Sequence, residues 1–201
     1  MNKEYTILLY DLLILEEMAA NMDAYLVSDA REWTIPRSNM PNLTIGGYLL
    51  RQPRLLALED RLLDEDPERL RAAIKLFDDA LIEKIVRFET RAHQELHSRI
   101  GEWVSYLRDL GSQTSSEVNY YAGIVDTRVV IASLIDQLQK RPYKLEKGVL
   151  AEIRSLDENL RGRLLEHEFI WDMVWKPAYP QEKHWWLYGC PKRAKETGSQ
   201  N

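Results

Sequence analysis

Residues 66–111 read DPERLRAAIKLFDDALIEKIVRFETRAHQELHSRIGEWVSYLRDLG, and their periodicity decides the fold. Leu70, Ile74, Phe77, Leu81, Ile85, Phe88, Ala92, Leu96, Ile100, Trp103, Leu107 and Leu110 succeed one another at steps of three or four residues. That spacing sets them all on one helical stripe. Asp66 and Pro67 suit a helix start, where proline has no intrahelical hydrogen bond to lose. Gly111 suits a helix end. The pattern predicts one very long third helix of roughly 65 Å at about 1.5 Å per residue, eased at most at Gly101. A rod that long exceeds what a compact bundle needs, so it either breaks or protrudes and pairs with something.

Outward from this stretch the helical period recurs, and no segment alternates as a strand does. A first helix is expected from about residue 3 to about residue 32, its first half apolar on nearly all sides and therefore central. Residues 34–47 hold two prolines and two glycines and read as a strap. A second helix should follow over residues 47–63, with Pro53 kinking it or marking its first turn. A fourth runs from about residue 114 to about residue 140, where Arg141-Pro142 breaks it, and a fifth from about residue 145 to about residue 169. The expectation is an all-α bundle of about five helices forming one domain over residues 1–190. The polar residues 191–201 read as a disordered tail.

The aromatic segment at residues 169–190, FIWDMVWKPAYPQEKHWWLYGC, carries Trp171, Trp175, Trp185, Trp186 and Tyr188. Pro177 and Pro180 prevent one continuous helix. Burying each large apolar side chain is worth roughly 1.5–3 kcal/mol, so the segment must cover something. It either closes the bundle as a non-helical strap, anchors a partner or second copy, or lines a ligand cage or membrane-surface contact.

The chain of 201 residues has a net charge of −5 with acids and bases interleaved, which argues against nucleic-acid binding. Cys190 is the single cysteine, so no intramolecular disulfide is available and a reducing compartment suits it. The apolar run from Ile7 to Leu15 is too short to span a bilayer and is interrupted by Asp11. No transmembrane segment is expected, and a cytoplasmic location follows.

Two constellations invite chemistry. His93 and His97 lie one turn apart on a helix face, the spacing of zinc and iron sites, with Glu89 a turn earlier. The alternative is a polar pair hydrogen-bonded to neighbouring helices. Gly46-Gly47 followed by Arg51 and Arg54 suggests anion binding at a helix start, although glycine there also serves a tight entry. No nucleophilic triad is recognisable, and no catalytic residue is assigned.

Leu43-Thr44-Ile45-Gly46-Gly47-Tyr48-Leu49-Leu50, together with Trp171-Asp172, Ala178-Tyr179-Pro180 and Trp185-Trp186-Leu187-Tyr188-Gly189, resembles an uncharacterised family of bacterial helical proteins of about this length. Its members carry an LTxGGLLL-like entry and a WD…AYP…WFLYG-like ending. No activity is assigned to that family, so the resemblance implies no catalytic residues. It implies that strap and aromatic ending form one architectural feature.

These readings converge on a non-catalytic interaction or assembly protein that self-associates or holds a protein partner. The first alternative is a metal protein holding zinc or iron at His93, His97 and Glu89. The second is a small-ligand or anion sensor using Arg51, Arg54 and the tail aromatics.

Overall fold

The computed structural model describes residues 2–111 and 115–192. Among them six α-helices supply most of the structure: α1 (Lys3–Val27), α2 (Ile45–Leu56), α3 (Asp66–Glu83), α4 (Ile85–Gly111), α5 (Ser115–Leu138) and α6 (Val149–Arg161). Two three-residue strands, β1 (Leu164–Glu166) and β2 (Gly189–Pro191), pair antiparallel. Short 3-10 turns occupy Glu59–Arg61, Met173–Ala178 and Trp185–Tyr188.

Helix α1 is the central rod, as its apolar composition requires. Leu8, Leu12, Leu15, Met18, Met22 and Leu26 are essentially inaccessible to solvent. It packs on α2, α3 and α4. It stops at Val27, short of the expected residue 32. The Ser28 hydroxyl donates to the Tyr25 carbonyl and its amide folds back to Ala24 and Tyr25, ending the ladder.

The expected single third helix is two helices. Lys84 leaves helical geometry at φ −129° and ψ 37°, and the ladder restarts when Phe88 donates to the Lys84 carbonyl. The turn lets α3 pack along α1 while α4 packs along α5. Helix α1 is only 25 residues, about 38 Å, so a straight rod would have run past it. Phe77 and Phe88 both stay in the core across the break, edge to face at 6.2 Å, and Phe77 stacks on Tyr48 of α2 at 3.8 Å. The cost is paid at the corner, where Ile82 and Val86 are 71% and 75% exposed. Gly101, the expected weak point, sits inside α4 with open space around it.

The remaining boundaries also shift. Helix α2 begins at Ile45 and ends at Leu56, giving way to the 3-10 turn at Glu59–Arg61 rather than continuing to residue 63. Helix α6 is shorter than the expected fifth helix because Gly148, at φ 93°, holds the chain out of helix before it and Gly162 closes it. The strap is pinned by a bridge between Trp33 and Leu43 and by the buried Ile35 and Leu43.

The aromatic segment folds back onto the body. Its ends are clasped by the ladder Leu164↔Pro191, Leu165↔Cys190 and Glu166↔Gly189. Gly189 is required there, since a Cβ would lie 2.7 Å from Leu164 Cδ1. The expected tail therefore begins later than residue 191: Pro191 is in β2, and Lys192 donates to the Arg163 carbonyl at 2.8 Å. The rest of the tail, from residue 193, lies outside the described residues. No helix among the described residues is long and apolar enough to cross a membrane.

Candidate ligand-binding cavity

The entry to α2 shows why two glycines stand there. Thr44 caps the helix, its Oγ1 accepting from the Gly47 amide at 2.9 Å, and Glu95 Oε2 of α4 accepts from the Gly46 amide at 3.0 Å. A Cβ on Gly46 would strike Val130 Cγ1 and sit 2.6 Å from Glu95 Oε1. Glycine at 46 thus permits close approach of α2 to α4 and α5. The helix-start amides that anion binding was expected to use are already taken by the protein's own oxygens.

The arginines one and two turns on have a different role. Asp11, 4% exposed within the apolar face of α1, faces both of them. Arg54 grips it with two hydrogen bonds, Nε to Oδ2 at 2.7 Å and Nη2 to Oδ1. Arg51 Nε lies 3.2 Å from Oδ1 but off the hydrogen-bonding direction, so that buried N–H goes unmatched; Arg51 Nη1 donates to the Gly47 carbonyl at 2.7 Å. Burial alone would lower both guanidinium pKa values. For Arg54 the Asp11 carboxylate more than offsets burial and its pKa is raised; for Arg51 burial prevails and the pKa is lowered. The difference follows the geometry, since only Arg54 holds the carboxylate in two-point contact.

The aromatic segment closes this arrangement from above. Asp172 caps the turn Met173–Ala178 by accepting from the Val174 amide at 3.1 Å. That turn lays Trp175 against Arg54, guanidinium carbon to ring centre 4.2 Å. Tyr179 reaches the Leu50 carbonyl of α2 at 3.4 Å, and Trp171 packs edge-on against Tyr179 at 5.2 Å. Between α2, the strap, α4, α5 and this segment lies a cavity of about 460 Å³. Arg51, Arg54, Arg99, Asp126, Trp171 and Trp175 are among its lining residues. A volume of this size is within the range of small-molecule sites.

The expected anion residues and two of the five expected tail aromatics are thereby brought together. The other three are elsewhere. Trp186 is buried on α5, with Arg128 stacked 3.9 Å above its ring, Arg128 itself held by Asp157 through two bonds of 2.8 Å. Trp185 is covered by Arg161 at 3.8 Å, and Tyr188 donates to the Tyr179 carbonyl at 2.8 Å. These contacts are intramolecular packing and fit the strap reading of the segment.

The histidine pair is not brought to one point. His93 is 9% exposed, its Nδ1 2.9 Å from the Glu89 carbonyl and its Nε2 buried without a partner. His97 lies at the surface with Nε2 2.8 Å from Glu146, and Glu89 Oε1 accepts from the Lys144 amide at 2.8 Å. Among the described residues no three or more histidine, cysteine, aspartate or glutamate side chains form a group able to hold a metal ion. His97 instead borders a second cavity of about 810 Å³, which shares Glu32, Thr44 and Arg99 with the first.

Three site residues escaped the sequence reading. Asp11 had a signal, as the lone charge in an apolar run. Arg99 and Asp126 had none, because single charges on α4 and α5 look like ordinary solvated positions. Comparison with protein-family models, curated proteins and solved structures gives no match.

Proposed function

We propose that this chain is a non-catalytic helical protein that binds a small polar ligand in the cavity between α2 and the aromatic segment. The observation that carries this reading is the convergence of Arg51 and Arg54 with Trp171 and Trp175, from opposite parts of the chain, around about 460 Å³ of space. Guanidinium groups held by a buried carboxylate are fixed in direction before a ligand arrives, which reduces the ordering cost of binding. The lining supplies polar groups for orientation and ring faces for contact area, the usual division of labour in such sites. A reducing compartment suits the lone Cys190, and we take the cytoplasm as the location.

The test is a thermal-shift screen of the full chain against inorganic phosphate, dicarboxylates, amino acids, polyamines and nucleoside monophosphates, followed by calorimetric titration of any hit. A ligand that binds only the folded state raises the melting temperature by mass action. The expected result is a hit whose affinity collapses in an Arg51→Gln variant that remains folded. Hits insensitive to Arg51→Gln, or none at all, would refute the assignment.

Self-association is a second reading, favoured by the exposed Ile82 and Val86 at the corner between α3 and α4. Light scattering on the wild type and on Val86→Glu tests it. A dimer that the substitution dissociates supports the reading, and a monomeric wild type disposes of it.

A further inference from the structure

The cavity lining is balanced in charge: Arg51, Arg54 and Arg99 stand with Glu32, Asp126 and Asp172. Most of these groups are satisfied locally. Arg54 is locked to Asp11, Arg99 contacts Glu102 at 3.1 Å and Glu95 at 3.6 Å, and Glu32 accepts from Asn42 at 2.8 Å. Asp172 pairs with Lys3 at 3.5 Å. Two groups are incompletely matched. Arg51 keeps a buried Nε–H without an acceptor. Asp126, an exposed residue of the lining, makes no ion pair among the described residues, and Arg99 and Arg51 act on its carboxylate from beyond ion-pair distance.

A carboxylate without an ion pair and a guanidinium that shares its one carboxylate, Asp11, with Arg54 thus line one cavity without touching. A simple anion would satisfy Arg51 while meeting repulsion from Asp126, and a simple amine would do the reverse. A ligand carrying both charges satisfies both.

Resting on the small-ligand reading above, we propose that the cavity takes a small zwitterion of the α-amino-acid class. Its carboxylate lies toward Arg51 and Arg99 and its ammonium toward Asp126. Its hydrocarbon part lies along Leu50, Val130 and Trp171, apolar residues of the wall. An arginine is suited to the carboxylate because its planar fork offers paired donors. Asp126 is an exposed residue, so an ammonium there is reached without full desolvation.

The experiment titrates the full chain with L-leucine and L-phenylalanine, each beside its deaminated acid (isocaproate, hydrocinnamate) and its decarboxylated amine (isoamylamine, phenethylamine). Inorganic phosphate is run as the plain anion. The expected result is binding of at least one amino acid, with each truncated analogue weaker by roughly tenfold or more. Asp126→Asn should erase the preference for the amino acid over its deaminated acid while leaving the weak binding of the acid in place. Equal binding of acid and amino acid, or a preference for phosphate, overturns the zwitterion assignment and leaves a ligand-binding cavity standing. Silence from both amino acids while the broader screen yields an Arg51-dependent hit has the same meaning. Silence throughout overturns both.

Discussion

Replacing Asp11 by alanine removes the carboxylate that two arginines share. Asp11 is 4% exposed, and the Arg54 and Arg51 side chains retain only 12% and 16% of their exposure. The variant therefore leaves two guanidinium groups largely desolvated and without a counterion. Breaking a buried pair in this way costs about 3–5 kcal/mol, because the surviving charge keeps its desolvation penalty. That is a large share of the ~5–15 kcal/mol that holds a typical domain together. For a chain of this size about 2–4 °C is lost per kcal/mol, so the melting temperature should fall by roughly 6–20 °C. Urea unfolding followed in parallel by tryptophan fluorescence and far-UV circular dichroism measures it, with an unchanged denaturant slope as the check that only stability moved. Adding Arg54→Leu to Asp11→Ala should recover part of the loss, since one orphaned charge disappears. A loss below about 1 kcal/mol, the range of exposed ion pairs, would show that Asp11 is hydrated in solution and that the arginines are not fixed by it.

Gly46→Ala should cost about 1–3 kcal/mol by overpacking against Val130, and more if Glu95 is pushed off the Gly46 amide; the same urea titration reads it. Partial burial of its carboxyl raises the Asp126 pKa, so its ionised form costs a little stability above that raised value; because the residue is exposed overall, Asp126→Asn should match or only slightly exceed the wild type near neutral pH. That advantage should vanish below the ordinary carboxylate range, where both states of the wild type are protonated; urea midpoints taken across that range check it. Burial, with Lys183 adding to it, lowers the His184 pKa, so stability present above the ordinary histidine value is lost as pH falls through it. The wild-type midpoint should drop between about pH 7 and about pH 5, and a His184→Phe variant should flatten that slope.

The helical class and the central place of α1 were legible because both follow from local periodicity. The run from Leu8 to Leu26 is buried as its composition demands, and the charge that interrupts it, Asp11, proves to hold two of the arginines that line the cavity. The break at Lys84 was not legible, since the apolar seam passes through it without a slip. What divides α3 from α4 is the need to cover two different neighbours, a tertiary demand that leaves no local mark. Ile82, Ile85 and Val86, β-branched and clustered, were the only hint, and weak helix preference alone does not end a helix. Strands of three residues such as β1 and β2 are too short to display alternation. Arg99 and Asp126 needed the mutual placement of α4 and α5 before either had a meaning.

The return of the aromatic segment onto α2 has a kinetic consequence. The cavity roof is delivered from far along the chain: Tyr179 meets the Leu50 carbonyl across 129 positions. Closing so large a loop costs on the order of 4 kcal/mol in length-dependent chain entropy, recovered only when the aromatic contacts form together. Contacts of that separation assemble after local helix pairs such as α4 with α5. The cavity is thus expected to be the last part of the molecule to come into being. A ligand seated in it would act on the final step of folding, slowing the reopening of the roof while leaving the helical scaffold to form at its own pace.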